Sequence, residues 1–215
     1  MAIRPTKVDQ DDWWKMEPVE LDTIRPKPNR DVLLVCGDGA CVFDDIAAFL
    51  DLDPAPFDTM LINHMPLSYP GKYQHFVCGD SHMKPMQKIA QTLPAEVVKH
   101  CWNPGSTGFD IRWVKEDGRG WNGTTAALAV KIGITLDYLR IILAGCPMDH
   151  SGHWYDSYLP DSDKKLQNDH RHHLWYWTEL AARPIGQFVR SMSGNTADLF
   201  GRPDADWTAC MEYPE

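Results

Sequence analysis

Short apolar runs alternate with segments of helical periodicity along most of the chain. Residues 32–36 form a continuous apolar run that stops at a Gly-Asp-Gly turn, which is typical of a buried parallel strand. The next segment, residues 44–52, places Ile46, Phe49 and Leu50 at helical spacing and is predicted to be an amphipathic helix. The first unit is therefore a strand, a glycine turn and a helix.

This alternation continues to about residue 200. Further strands are predicted at 57–63, 74–78, 96–101, 109–114, 139–144 and 185–190, and further helices at 82–92, 124–136, 169–182 and 197–200. The helix at 124–136 is rich in Ala and Ile on nearly all sides, so we expect it to be buried. The pattern predicts an α/β fold: a single Rossmann-like three-layer domain with a mainly parallel sheet and helices on both faces.

Length and composition are consistent with one large domain. The chain has 215 residues, of which 43% are hydrophobic and 24% are charged, enough to bury a full core. We assign residues 1–30, which are interrupted by prolines, to an irregular N-terminal extension, 31–200 to the nucleotide-binding domain and 201–215 to a C-terminal tail. No stretch approaches the roughly 20 apolar residues of a bilayer span, and the N-terminus lacks a secretion signal, so a cytoplasmic protein is expected.

Charge and cysteine usage exclude several kinds of protein. The net charge of −9 argues against a nucleic-acid-binding surface, because such surfaces rest on clustered Lys and Arg. The 6 cysteines are scattered without a CxxC pair, which favours buried free thiols over a disulfide framework or a zinc site. A homo-oligomer is compatible with Trp13 and Trp14, which would anchor the extension to the body or to a partner subunit.

Three small-residue turns follow predicted strands or precede a predicted helix. They lie at 37–39 (Gly-Asp-Gly), 79–81 (Gly-Asp-Ser) and 123–125 (Gly-Thr-Thr). In an open parallel sheet the strand ends lie side by side, and the crevice outside them is where ligands bind. Helix N-termini there offer unpaired N–H groups to a phosphate, even in an acidic protein. No GxxxxGK[ST] is present, and the Gly-Asp-Gly turn after the first strand does not continue as the GxGxxG dinucleotide fingerprint, so the turns predict a nucleotide site without a standard phosphate motif.

A longer series of motifs resembles a known group of enzymes. It consists of VLLVCGDGACVFDDI, FDTMLINHM, a Gly-Asp-Ser turn and GTTAALAVKIGITLDYLRIILAGCPMDHSGHWYD. This order resembles the bacterial sialyltransferase-like and flagellin-modification (motility-associated factor) glycosyltransferase group over residues 31–190. The strongest single part is TLDYLRIILAGCPM. The resemblance implies a Rossmann-like nucleotide-sugar domain, a nucleotide or nucleotide-sugar ligand and transfer of a glycosyl group to an acceptor.

The resemblance also implies roles for residues at the strand ends. The first turn would cradle the nucleotide phosphates or ribose, the next two strand ends would contact sugar or base, and the Thr-Thr helix start would hold phosphate. The nucleotide-binding candidates are Gly37, Asp38, Gly39, Asn63, Asp80, Ser81, Thr124 and Thr125.

The catalytic groups implied by the resemblance lie later in the chain. The base of the group is a His in the polar segment before the late helix, for which His170 is the nearest match. Pro147 stands where the group carries an acidic residue, with Asp149 two positions on. Tyr155 or Tyr158 would assist the leaving phosphate. The candidate catalytic residues are His170, His153 and Asp149.

Two other interpretations remain open. A cluster of His and Asp residues supplies ligands for Zn²⁺ or Mn²⁺, and a metal-assisted phosphohydrolase or pyrophosphokinase-like enzyme would use a divalent cation with Asp38, Asp80 and Asp149. The cluster comprises Asp149, His150, His153, Asp169, His170, His172 and His173. A nucleotide-binding accessory protein without catalytic groups is the third interpretation. The paired acids Asp44 and Asp45 are explained by the helix dipole alone.

Overall fold

One mixed sheet organises the molecule. The computed structural model describes residues 16–18, 30–103, 106–115, 123–158 and 171–209. The strands are β1 (Met16–Pro18), β2 (Val32–Cys36), β3 (Phe57–Ile62), β4 (His75–Cys78), β5 (Val98–Cys101), β6 (Ile111–Lys115), β7 (Arg140–Ala144) and β8 (Val189–Ser191). They lie in the order β1-β6-β5-β4-β3-β2-β7-β8. Neighbouring strands from β2 to β8 pair in parallel, and β1 pairs antiparallel with β6.

Helices cover both faces of the sheet. They are α1 (Val42–Leu50), α2 (Lys84–Thr92), α3 (Thr125–Thr135), α4 (Leu174–Ala181), α5 (Gly194–Phe200) and α6 (Ala205–Thr208). In β2, Leu33 and Val35 join the core cluster that contains α3 and α4, whereas the alternate residues join the cluster that contains α1. This alternation is what a strand buried on both faces requires. The predicted α/β fold is confirmed.

The strand order creates a switch point in the middle of the sheet. From β2 the chain builds β3, β4, β5 and β6 successively on one side, and then returns to place β7 and β8 on the other side of β2. At such a reversal the connections leave the sheet in opposite directions and open a crevice at the carboxyl ends of the strands. The crevice between β2 and β7 is where the topology favours a ligand.

Helix α3 is the predicted buried helix. Every residue from Ala126 to Gly133 is buried, including Lys131, and the helix packs across β2, β3 and β4. Its small side chains allow this central position, because Ala and Gly let a helix approach a sheet closely. Its N-terminus therefore points to the same edge of the sheet as the ends of those strands.

The structure differs from the sequence prediction at several element boundaries. The predicted strand at 185–190 is wrong in its first part, because Pro184–Phe188 forms a 3-10 helix and only Val189–Ser191 is strand. Pro184 lacks the N–H that a strand ladder needs and suits a helix start. Within the extension predicted to be irregular, Met16–Pro18 forms the edge strand β1. Arg171–His173 is a 3-10 helix that precedes α4, while residues 169 and 170 lie outside the described residues.

The C-terminal segment packs on the body. Its helix α6 presents Trp207 between the guanidinium groups of Arg140 and Arg190, at 5.7 and 4.9 Å from the ring centroid. The Ala55 amide donates to the carbonyl of Thr208 at 3.1 Å. Cation–π contacts from both sides hold the indole ring against the β7–β8 edge of the sheet. The sequence prediction of a tail at 201–215 did not include this helix.

In the part of the chain that the structure describes, no helix is long and apolar enough to cross a membrane. The five cysteines among the described residues, Cys36, Cys41, Cys78, Cys101 and Cys146, are free. Burial raises the pKa of the Cys78 thiol to about 12, and burial likewise raises that of Cys41 to about 12. These thiols therefore behave as buried apolar groups. Cys210 lies outside the described residues.

A chain of buried polar side chains crosses the sheet. Trp113 Nε1 donates to His100 Nδ1 at 3.0 Å, His100 Nε2 lies 3.1 Å from His75 Nδ1, and His75 Nε2 lies 3.0 Å from the Tyr138 hydroxyl. The Tyr138 hydroxyl donates to Asp58 at 2.8 Å. An indole N–H can only donate, so every proton position in the chain is fixed and both imidazoles are neutral. The chain satisfies groups that burial would otherwise leave unpaired.

Burial lowers the pKa of His75 to about 4, and burial together with His75 lowers the pKa of His100 well below its usual 6.5. Because the folded protein keeps these rings neutral, the unfolded chain binds more protons once the pH falls below about 6.5. The free energy of unfolding should therefore be constant above that pH and fall between about pH 6.5 and pH 4. Urea unfolding over this range measures the decline.

Replacing His75→Leu should lower the free energy of unfolding at pH 7.5 by about 1–3 kcal/mol, because the buried His100 N–H loses its acceptor. The decrease in the free energy of unfolding below pH 6.5 should also become smaller in this variant. The control is His150→Gln, because His150 is exposed. Equal effects of the two substitutions would contradict a structural role for the buried chain.

Candidate functional site

A cavity of about 750 Å³ opens at the carboxyl ends of the central strands. Its walls are the turns that follow β2, β3, β4 and β7, the start of α3 and the loop at 147–155. Nine of the eleven candidate catalytic and nucleotide-binding residues line it: Gly37, Asp38, Gly39, Asn63, Asp80, Thr124, Thr125, Asp149 and His153.

Two predicted site residues are not placed in the cavity wall. Ser81 is fully buried, and its hydroxyl accepts a hydrogen bond from Ser106 at 2.7 Å. Because Ser81 is buried and hydrogen-bonded to Ser106, we assign it a structural role behind the cavity wall. His170 lies outside the described residues.

The turns after β2 and β7 meet at backbone contact. The Gly37 amide donates to the Ala144 carbonyl and the Gly39 amide to the Gly145 carbonyl, both at 2.8 Å. Gly145 has φ +64°, and a Cβ there would lie 2.5 Å from Cβ of Val42. Only glycine adopts this conformation without strain and leaves room for α1. The close approach continues the β2–β7 pairing past the end of the sheet and forms the cavity floor.

A buried carboxylate fixes this floor from behind. Oδ2 of Asp45 accepts the Gly145 amide at 2.8 Å and the Ser193 hydroxyl at 2.6 Å. The Cys41 thiol also donates to it, at 3.4 Å. Asp45 therefore connects α1 with the segments that follow β7 and β8. Both acids lie in the first turn of α1, as the helix-dipole explanation requires, but Asp44 is exposed whereas Asp45 is in addition a buried acceptor.

The start of α3 forms the wall on the β4 side. Thr124 caps the helix by accepting the Ala127 amide at 3.2 Å, and the Thr125 hydroxyl accepts the Gly79 amide at 3.2 Å. A Cβ on Gly79 would lie 2.5 Å from that hydroxyl oxygen, so glycine permits the close approach. The first turn of α3 thus presents its N–H groups and the positive end of its dipole at the cavity.

The opposite wall is acidic. The Asp38 side chain is only 7% exposed, and its Oδ2 lies 3.3 Å from His64 Nδ1 and 3.4 Å from the His64 amide. Its Oδ1 is buried and has no hydrogen-bond partner among the described residues, and the same is true of Oδ1 of Asn63. Asn63 has φ 49°, a left-handed conformation that Asn tolerates better than most residues. Two buried acceptors therefore line this wall without donors.

His153 is held by a carboxylate three residues further along. Asp156 Oδ2 accepts the His153 amide at 2.7 Å, and Asp156 Oδ1 lies 3.5 Å from His153 Nδ1. The Tyr155 ring stacks on the imidazole of His153 with centroids 4.9 Å apart and meets the His64 ring edge-on at 5.1 Å. Burial, with the charges of Asp38 and Asp156 adding to it, raises the pKa of Tyr155. Tyr155 thus stays a neutral phenol between two imidazoles.

The loop that carries these side chains is fastened to the floor. The Ala40 amide donates to the Gly152 carbonyl and the Trp154 amide to the Asp38 carbonyl, both at 2.9 Å. Asp149 accepts the Ser151 amide at 2.8 Å, which closes a local turn before His153. The position of His153 over the first glycine turn is therefore set by backbone hydrogen bonds.

Sequence reasoning missed His64 and Asp156, and it considered His173 only as a possible metal ligand. His64 directly follows Asn63 at the end of β3, and Asp156 stands three residues after His153. Both signals were present in the sequence, although only the folded chain brings His64 to Asp38. His173 also lines the cavity.

The metal-site interpretation finds no support in the described part of the chain, where no group of three or more His, Cys, Asp or Glu side chains is arranged to hold a metal ion. Asp169 and His170 of the proposed cluster lie outside the described residues. Asp38, Asp80 and Asp149 line one cavity but do not form such a group.

Comparison with known proteins identifies the fold. No protein-family model matches the chain, and no curated protein sequence matches it. The sialyltransferase CST-II in complex with a trisaccharide acceptor and CMP superimposes with a TM-score of 0.53 at 12% identity, over 84% of this chain and 89% of that chain. The sialyltransferase CstII from Campylobacter jejuni, in complex with a substrate analogue, cytidine-5'-monophosphate, gives 0.52 at 12% identity over 81% and 85%. The sialyltransferase-like resemblance is confirmed at the level of the fold.

Asp45→Ala should lower the free energy of unfolding by about 2–4 kcal/mol, because the Gly145 amide and the Ser193 hydroxyl lose their buried acceptor. Asp44→Ala, one residue away in the same helical turn but exposed, should change it by less than about 1 kcal/mol. Denaturant unfolding of both variants makes the comparison. Equal decreases in the free energy of unfolding of the two variants would show that the hydrogen bonds accepted by Asp45 are unimportant for stability.

Proposed function

We propose that the protein binds a nucleotide or nucleotide sugar in the 750 Å³ cavity and transfers the glycosyl group to an acceptor hydroxyl. The observation that carries the proposal is the convergence of the strand-end turns and the start of α3 on one cavity at the switch point of the sheet. The fold is shared with sialyltransferases whose structures contain CMP, which favours a cytidine nucleotide as the first ligand to test.

The phosphate is assigned to the start of α3. Backbone N–H groups at Thr124 and Thr125 attract an anion without a lysine or arginine, because the helix dipole adds to their hydrogen bonds. The glycines of the β2 turn let the ligand approach the backbone closely. Asn63 and Asp80 line the cavity at the next strand ends, where they contact sugar or base.

His153 is the best-supported base among the described residues. It lines the cavity, and the Asp156 carboxylate, 3.5 Å from Nδ1, would stabilise the imidazolium that forms. In the transfer step, the base takes the proton of the acceptor hydroxyl while the acceptor oxygen bonds to the anomeric carbon. The bond from that carbon to the phosphate oxygen breaks, and the nucleotide leaves with the electron pair. Asp149 positions the loop, and His170 is the second candidate for the base.

CMP at one hundred times its dissociation constant should stabilise the protein by about 2.7 kcal/mol, which raises Tm by about 5–10 °C for a chain of this size. Asn63→Gly keeps the left-handed backbone conformation and removes the amide, so CMP should bind about tenfold more weakly. Calorimetric titration measures the affinity. Asp53→Gly is the control, because Asp53 is exposed and also has φ 49°. No stabilisation by CMP or by the uridine, guanosine or adenosine nucleotides would overturn the proposal.

Replacing His153→Ala should lower the rate of hydrolysis or transfer of a bound nucleotide sugar about 10²–10⁴-fold and leave CMP affinity within about threefold. His150→Ala, an exposed neighbour in the same loop, should retain the parent rate. A loss in His170→Ala instead would move the base to that residue. Nucleotide binding without any turnover in the parent protein would favour the accessory-protein interpretation.

A further inference from the structure

The charged residues that line the cavity limit which glycosyl group the proposed nucleotide-sugar donor can carry. Asp38, Asp80 and Asp149 line the cavity, whereas none of its described lining residues is a lysine or arginine. Among the described lining residues, the side chains that can become cationic are His64, His153 and His173. A ligand with one phosphate at the start of α3 is accommodated by backbone N–H groups, but a second anionic group receives no fixed positive partner from the described wall.

The buried acceptors that lack hydrogen-bond partners indicate which chemical groups of a ligand would bind at the acidic wall. Oδ1 of Asp38 and Oδ1 of Asn63 are buried without donors, and the Asp38 side chain is more than nine-tenths buried. Buried acceptors are normally satisfied, so a bound ligand should bring hydrogen-bond donors to them. Hydroxyl and amino groups can donate. A carboxylate cannot, and it would add like-charge repulsion next to the buried side chain of Asp38.

We infer that the glycosyl group taken by this cavity carries no carboxylate and is a neutral or amino sugar. The inference rests on the proposed function and specifies its donor. It separates this chain from its structural neighbours, which are sialyltransferases, since a sialic acid bears a carboxylate on its anomeric carbon. The shared fold provides the nucleotide cradle, while Asp38 and Asn63 select the sugar.

The test compares two donors with the same base, each against its own free nucleotide. CDP-glucose is measured against CDP, and CMP–sialic acid against CMP, by calorimetric titration of the full chain. The neutral sugar should leave affinity equal to or tighter than that of CDP, because its hydroxyls satisfy the buried acceptors. The acidic sugar should weaken affinity at least tenfold relative to CMP. Tighter binding of CMP–sialic acid than of CMP would overturn the inference and leave the proposed function standing.

A charge-removing variant assigns the selectivity to Asp38. Asp38→Asn keeps the shape of the side chain but removes its negative charge, so the affinity for CMP–sialic acid should rise at least tenfold more than the affinity for CMP, both relative to the parent protein. Asp51→Asn, at an exposed position outside the cavity, removes the same charge and should change neither ligand. Unchanged binding of CMP–sialic acid to Asp38→Asn would overturn the role of Asp38. Failure of every nucleotide to bind the parent protein would overturn the proposed function together with the inference.

Discussion

The hydrogen bond from the Gly145 amide to the buried carboxylate of Asp45 is the contact on which the cavity depends. It fixes a glycine at φ +64° at the end of β7, and the carbonyl of that glycine in turn accepts the Gly39 amide. The Ser193 hydroxyl binds the same carboxylate oxygen, so the segment after β8 is held as well. One buried acceptor thereby joins α1 to two parallel strands at their carboxyl ends, where the main-chain ladder has stopped. Without it, those strand ends would lose this link to α1, and the hydrogen bonds from the side chains of Thr196 and Asn195 to the carbonyls of Cys146 and Met148 would remain as side-chain links between them.

The cavity above this floor combines two opposite electrostatic environments. The α3 side presents backbone N–H groups and the positive end of a helix dipole, and the β2 side presents Asp38, Asn63 and the His64 imidazole. Such an arrangement orients a ligand that has an anionic end and a hydrogen-bond-donating end, as a nucleotide sugar does. The separation works because the helix dipole acts only within its first turn. The start of α3 therefore offers a local positive potential in a protein with a net charge of −9, as the proposed phosphate site requires.

Much of the framework was predictable from the sequence. The apolar runs before Gly37 and Gly79 and before Gly145 marked the central strands, and the mostly apolar helix α3 marked the layer that packs on them. The secondary-structure predictions were wrong where the chemistry of a single residue outweighs the apolar pattern around it. Ile185 belongs to an apolar segment that resembles a strand, but Pro184 starts a 3-10 helix there. The strand β1 has three residues and no periodicity, and it exists only because the exposed edge of β6 is available for pairing.

The sequence by itself determined which residues follow each strand, since apolar runs of strand length end at fixed positions and a parallel sheet brings those ends to one edge. Only the tertiary structure decided that Asp45 is a buried acceptor while Asp44 is exposed, and that Asp38 meets His64 across 26 positions in the chain. Such pairings depend on the strand order and on which face each helix buries. Both are set by packing of the whole core, which local periodicity does not encode.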